Sequence, residues 1–147
     1  MKINPFYRKV SYYETDKMAI VHHSNYVRWL EEARIDFLEQ MGFPYDEMEK
    51  NGIMCPVLSV SCNYKYATRF GDTVCIKLKM EEFNGLKYRI SYVVTDKETG
   101  DIRITAESSH FFVDSNFKPM RVKRVSPEIY EMFKNAVGVD LYEEEEK

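Results

Sequence analysis

The densest group of chemically capable side chains falls in one short stretch: Glu14, Thr15 and Asp16, then His22, His23, Ser24 and Asn25. A carboxylate can serve as general base toward water or as nucleophile toward an acyl carbon, and an imidazole moves protons near neutral pH. The residues just beyond give the cluster a direction. Tyr26, Leu30, Ala33, Phe37 and Met41 recur at steps of three or four, with Val27, Trp29 and Leu38 widening the stripe, so a helix is expected from Asn25 to Met41. The first N–H groups of a helix lack intrahelical partners and carry partial positive charge, so they hold anions and polarise carbonyls. A carboxylate such as Asp16, brought near that terminus, would face an electrophile already activated by the backbone.

The same residues have plainer readings. Asp or Ser ahead of a helix is most often only a cap. His22, His23 and Asp16 offer metal-binding donors, but adjacent histidines usually diverge and no third strong ligand stands at motif spacing, so no metal is expected. His110, alone in a strand-like run, reads as a hydrogen-bonded structural histidine. Cys55, Cys62 and Cys75 lie seven and thirteen positions apart, which fits neither a CxxC pair nor a disulfide framework; reduced, buried thiols are expected.

The elements that must position the cluster are set by periodicity. Phe6 to Glu14 is rich in aromatic and β-branched residues and reads as a strand. Gly42 suits the left-handed stop of the long helix, and Pro44 opens a short helical stretch through Glu49 that ends at Asn51-Gly52. Three runs then alternate with period two: Leu58, Val60, Cys62, Tyr64 and Tyr66; Val74, Ile76, Leu78 and Met80; Tyr88, Ile90, Tyr92 and Val94. Asn84-Gly85, tolerant of positive φ at both positions of a type I′ turn, is the strongest hairpin signal. The loop Asp96 to Asp101 turns the chain into a further strand, Ile102 to Val113, and a last helix is expected after Pro127 with Ile129, Met132 and Phe133. Strands on short loops imply an antiparallel sheet, and the apolar helix is the only element large enough to cover it. The expected architecture is α+β: strand, helix, four strands, in a single domain over residues 1–140 with an acidic tail at 141–147.

Bulk properties narrow the function. The 147 residues suit one compact core, and 21 Lys plus Arg against 24 Asp plus Glu give a net charge of −3, without the basic excess of a nucleic-acid binder. The amino terminus lacks the apolar core of a signal peptide and no apolar run is long enough to span a bilayer, so a cytoplasmic location is expected.

The stretch E-T-D-K-M-A-I-V-H-H-S-N-Y-V-R-W-L-E-E-A-R, Glu14 to Arg34, closely resembles the signature of the 4-hydroxybenzoyl-CoA thioesterase family of hot-dog-fold proteins, which includes bacterial acyl-CoA thioesterases. Weaker similarity continues through Tyr66, Phe70-Gly71-Asp72 and the later strands to Arg121. The resemblance implies a hot-dog fold, about five antiparallel strands wrapped around a long central helix, and hydrolysis of acyl-CoA to free acid and coenzyme A. It makes Asp16 the catalytic carboxylate and the backbone N–H of His23 the group that polarises the thioester carbonyl, with His22, Asn25 and Tyr26 beside the substrate. His22 departs from the Tyr or Trp common at its position. No cofactor is implied, and a homodimer or homotetramer is. Candidate partners for the coenzyme A phosphates are Lys65, Arg69, Arg89, Lys118, Arg121, Lys123 and Arg124, and Trp29, Tyr64, Tyr66 and Phe70 are candidates for an acyl tunnel or for aromatic core. Alternatives are hydrolysis of an acyl-carrier-protein thioester, a hydratase of the same fold, or a non-catalytic acyl-CoA-binding module.

Overall fold

The computed structural model describes residues 2–142. Strand β1 (Phe6–Lys9) is followed by a 3-10 turn (Tyr12–Glu14), helix α1 (His23–Gln40) and short helix α2 (Tyr45–Lys50). Strands β2 (Val57–Tyr64), β3 (Thr73–Phe83), β4 (Lys87–Asp96) and β5 (Ile102–Phe111) come next, then α3 (Val122–Val125) and α4 (Pro127–Ala136). The five strands pair antiparallel in the spatial order β1-β3-β4-β5-β2, so β2 lies at one edge.

The alternation expected in two of the runs is what the sheet buries. Val74, Ile76, Leu78 and Met80 of β3 and Tyr88, Ile90, Tyr92 and Val94 of β4 all face the core, joined by Ile104, Ala106, Ser108 and His110 of β5. Helix α1 lies against that face with Tyr26, Trp29, Leu30, Ala33, Phe37 and Leu38 buried. At about 1.5–3 kcal/mol for each large apolar side chain, this helix-to-sheet layer is the main source of stability. Phe133 of α4 packs on the rings of Tyr88, Phe83 and Phe112 and closes one end of the core.

Helix α1 begins two residues before Asn25 because His22 acts as its cap: Nδ1 accepts the Ser24 N–H at 3.2 Å, the part usually played by Ser, Asp or Asn. It stops as expected at Gly42. With φ of 94°, Gly42 donates to the Glu39 carbonyl at 3.0 Å while the Phe43 N–H reaches Leu38 at 2.9 Å, the two bonds of a Schellman motif.

Five expectations are corrected. The first strand ends at Lys9, because Ser11 to Glu14 folds into a 3-10 turn held by the Glu14 side chain on the Ser11 N–H. The 84–86 connection is no type I′ turn: only Gly85 takes positive φ, and the Asn84 side chain instead accepts the N–H groups of Leu86 and Lys87. The apolar face of β2 is not buried: a bulge at Leu58 puts that residue, 48% exposed, beside Arg89 and Ser109, while Val60, 40% exposed, opens on a cavity next to Val27, Leu30 and Arg34 of α1, at the edge of the sheet. Cys62 shares that position and is only half-buried, whereas Cys55 and Cys75 are buried. Leu141 and Tyr142 pack into the core, with the Tyr142 hydroxyl accepting the Leu78 N–H at 2.8 Å; the acidic run 143–147 lies outside the described residues. Among the described residues no helix is long and apolar enough to cross a membrane.

Candidate active site

The segment between the 3-10 turn and α1 is a tight, laddered loop. The Asp16 N–H donates to Ile20 at 3.0 Å, the Ala19 N–H to Asp16 at 2.9 Å, Thr15 bridges Val21, and the His22 N–H donates to the Glu14 carbonyl at 2.9 Å. Ala19 sits at the tip with φ of 63°, a left-handed conformation that a side chain adopts at a cost of about 1–2 kcal/mol. The loop is stitched to the chain beyond β2 by the Val21 N–H on the Thr68 carbonyl, 2.8 Å.

This ladder places Asp16 in the wall of a cavity of about 300 Å³ that it shares with His23, Tyr26, Tyr64, Lys65 and Tyr66. One Asp16 oxygen, Oδ1, accepts the Met18 N–H at 2.8 Å; among the described residues Oδ2 has no hydrogen-bond partner. His23 is the first residue of α1, so its N–H has no intrahelical acceptor. Its exposed ring lies 6.5 Å from that of Tyr64, and the buried ring of Tyr26 lies 5.6 Å from the same tyrosine. The arrangement is a half-buried carboxylate, a helix N-terminus and an aromatic wall around one space, with Lys65 as a cation on its rim.

Asp16, His23 and Tyr26 therefore meet at one cavity. His22 and Asn25 are turned elsewhere. The His22 ring caps α1 and lies against the His23 ring, centroids 4.2 Å apart. Asn25 is buried, with its Nδ2 donating to the Glu14 carbonyl at 2.9 Å. Trp29 belongs to the core, and its indole N–H donates to Glu14 at 2.7 Å. Phe70 packs edge-on against Tyr12, 5.6 Å between centroids. Of the candidate cations, Lys65 is at the cavity, whereas Arg89 is held by Glu82 and Glu107 and Lys123 lies over Tyr130.

Sequence reasoning noted Glu14 without a role. It is 2% exposed, and its carboxylate takes Ser11 N–H at 2.8 Å, Trp29 Nε1 at 2.7 Å and Arg8 Nη2 at 3.1 Å. The available signal was an indole that needs an acceptor when buried, in a helix preceded by an acid. His110, expected to be structural, is fully buried and bonded through Nε2 to Ser108 Oγ at 2.7 Å. Burial, with the Arg34 charge nearby, pushes its pKa down to about 3. Burial also pushes the Cys55 thiol up to about 11, so it stays protonated and poorly nucleophilic.

Comparison with known proteins bears on the family and the fold. A Bacillus subtilis protein, YneP, named as a candidate acyl-CoA thioesterase, is 35% identical over 129 residues, covering 87% of this chain and 93% of that protein. A candidate esterase of Aquifex aeolicus is 34% identical over 128 residues, covering 87% of this chain and 95% of its own. Among solved structures, a DHNA-CoA thioesterase from Staphylococcus aureus superposes with a TM-score of 0.86 at 32% identity, over 90% of this chain and 89% of that one. Residues 10–135 match the thioesterase-like superfamily, and with its five-stranded antiparallel sheet wrapped on α1 this chain belongs to that superfamily and has the hot-dog fold.

Proposed function

We propose that the protein hydrolyses acyl-CoA thioesters to the free acid and coenzyme A, within the 4-hydroxybenzoyl-CoA thioesterase branch that the Glu14 to Arg34 signature resembles. The observation that carries this reading is the shared cavity: the Asp16 carboxylate and the N-terminus of α1 line the same space. The His23 N–H polarises the thioester carbonyl and stabilises the oxyanion that forms on it. Asp16 acts either as general base, taking a proton from the water that attacks the carbonyl carbon, or as nucleophile, forming an acyl carboxylate that water then opens. In either route the C–S bond breaks and the thiolate of coenzyme A leaves with its charge, so no strong acid is required. Tyr26, Tyr64 and Tyr66 flank the acyl group, and Lys65 meets a phosphate of coenzyme A.

The working form is a homodimer or homotetramer. Strand β2 supports this, since an unpaired edge with exposed Val57, Leu58 and Val60 is suited to pairing with a second copy. Cysteines held as thiols fit the reducing cytoplasm.

The test is thiol release from a panel of acyl-CoA esters, short to long and aliphatic to aromatic, with wild type beside Asp16→Asn. Release by wild type alone establishes hydrolysis and assigns the carboxylate. Silence across the panel rejects acyl-CoA hydrolysis and moves the assay to acyl-carrier-protein thioesters, then to acyl-CoA binding without turnover.

A further inference from the structure

Glu14 is a charge that the core does not need. Burying a carboxylate is costly, and a buried ion pair is seldom more stabilising than apolar side chains of the same volume. What such a group adds is direction. Its carboxylate is fastened to β1 through Arg8, to the 3-10 turn through the Ser11 N–H and to the second turn of α1 through the Trp29 indole. Its backbone carbonyl takes two further bonds, each 2.9 Å, from the His22 N–H and from Asn25 Nδ2. The Asn25 side chain is steadied in turn by Arg28, which donates to Oδ1 at 3.2 Å.

The consequence is geometric. Residues 14–22 form a loop whose base is the Glu14 carbonyl on the His22 N–H, whose middle is the Thr15–Val21 bridge and whose tip is the turn from Asp16 to Ile20. Asp16 continues one strand of this ladder and His23 continues the other. The relation between the carboxylate and the start of α1 therefore runs through Glu14, while neither Glu14 nor Asn25 lines the cavity.

We propose that Glu14 and Asn25 are positioning residues for catalysis: they lock the loop bearing Asp16 to the first turn of α1 and so set the carboxylate against the His23 N–H. The proposal rests on the thioesterase reading for its kinetic arm only. A misplacement near 1 Å at a reacting group costs about a hundredfold in rate.

The experiment compares Glu14→Gln and Asn25→Ala with Ile129→Ala, a truncation in the distant α4 core that lowers stability without touching the loop. Each variant is measured well below its melting midpoint, on the acyl-CoA ester that wild type hydrolyses fastest, together with amide exchange over residues 14–22. Expected are a fall in kcat of at least about tenfold for Glu14→Gln and Asn25→Ala with KM within about threefold, and wild-type kcat for Ile129→Ala. The double variant should lose less than the product of the two single losses, since the carboxylate and the Asn25 amide hold the same residue, Glu14, in place. Exchange of the Asp16 and His22 amides should quicken at least about tenfold in the two loop variants and stay unchanged in Ile129→Ala. Should Glu14→Gln fail to fold, Asn25→Ala carries the test. Normal kcat in folded Asn25→Ala, or an equal loss in Ile129→Ala, overturns the proposal. If wild type hydrolyses nothing, the functional reading falls, and exchange then decides this one: quickened amides uphold the lock, unchanged amides overturn it.

Discussion

Histidine stands beside hydroxyl and aromatic groups in two regions of this molecule, at the start of α1 and on the inner face of β5. At the first, His23 is exposed, its backbone N–H has no helical partner, and the neighbouring Asp16 keeps one oxygen uncommitted among the described residues. At the second, the groups are joined in a chain: Arg34 donates to the Tyr92 hydroxyl at 3.4 Å, that hydroxyl lies 2.6 Å from Ser108 Oγ, and Ser108 lies 2.7 Å from His110 Nε2. Tyr88 stacks on the His110 ring at 4.9 Å. Ser beside His in that chain invites a nucleophilic reading that the environment refuses, because the imidazole has lost its basicity and is itself fully buried. Reactive residue types mark a site only where a substrate can reach them.

This contrast predicts opposite outcomes from equally drastic changes. Asp16→Asn should lower kcat by about 10³-fold or more, equivalent to about 4 kcal/mol, with a melting midpoint close to wild type. A folded Asp16→Asn protein with normal thiol release would erase the difference between the two regions. His110→Ala should do the reverse, costing about 3 kcal/mol in denaturant unfolding through the cavity it leaves and the lost bond to Ser108, while the folded fraction keeps its kcat. Acid should sharpen the contrast. His110 titrates at about 3 when folded but near 6.5 when unfolded, so between those values the unfolded chain binds the extra proton. Its contribution is fully present above pH 6.5 and is lost as the pH falls toward 3, at up to about 1.4 kcal/mol per pH unit. Unfolding curves from pH 7 to 5 should show that slope in wild type and lose it in His110→Ala. His23→Ala should lower kcat by no more than about tenfold, because the backbone N–H survives; a loss matching Asp16→Asn would give the imidazole a direct part. Smallest is Gly42→Ala, about 1 kcal/mol of stability with unaltered activity, since Gly42 sits in the left-handed region far from both clusters.

Much of the frame was legible in the residues themselves. The alternation in 74–80 and 88–94 marks the faces that the sheet buries, and the three-four spacing from Tyr26 marks the face that α1 buries. Local chemistry misled where two local signals competed. Phe6 to Glu14 has strand composition throughout, yet Ser11 to Glu14 is claimed by a side-chain bond to the backbone three residues away. Asn84-Gly85 suits a type I′ turn, yet the Asn84 side chain satisfies the turn N–H groups by itself and a different turn results. The β2 run carries the same alternation as its neighbours. Its place at the edge, and a bulge that shifts its register after Val57, leave Leu58 and Val60 in the open.

The candidate site divides in the same way. Asp16 ahead of a helix beginning near Asn25 can be read from spacing, because a turn, a cap and a helical stripe are all local. By itself the sequence determined these elements, their buried faces, the helix stop at Gly42 and the short distance along the chain between a carboxylate and a helix terminus. Tertiary structure alone decided that Tyr64 and Lys65, some forty residues away in the chain, complete the cavity. It also decided that Asn25 faces a carbonyl, that Glu14 is buried against Arg8 and Trp29, and that His110 is neutral. The reason is physical: periodicity is enforced by neighbours within a turn or two, whereas burial and the choice of hydrogen-bond partner depend on groups such as Arg34 and Tyr92, 58 residues apart, that only the folded chain brings together.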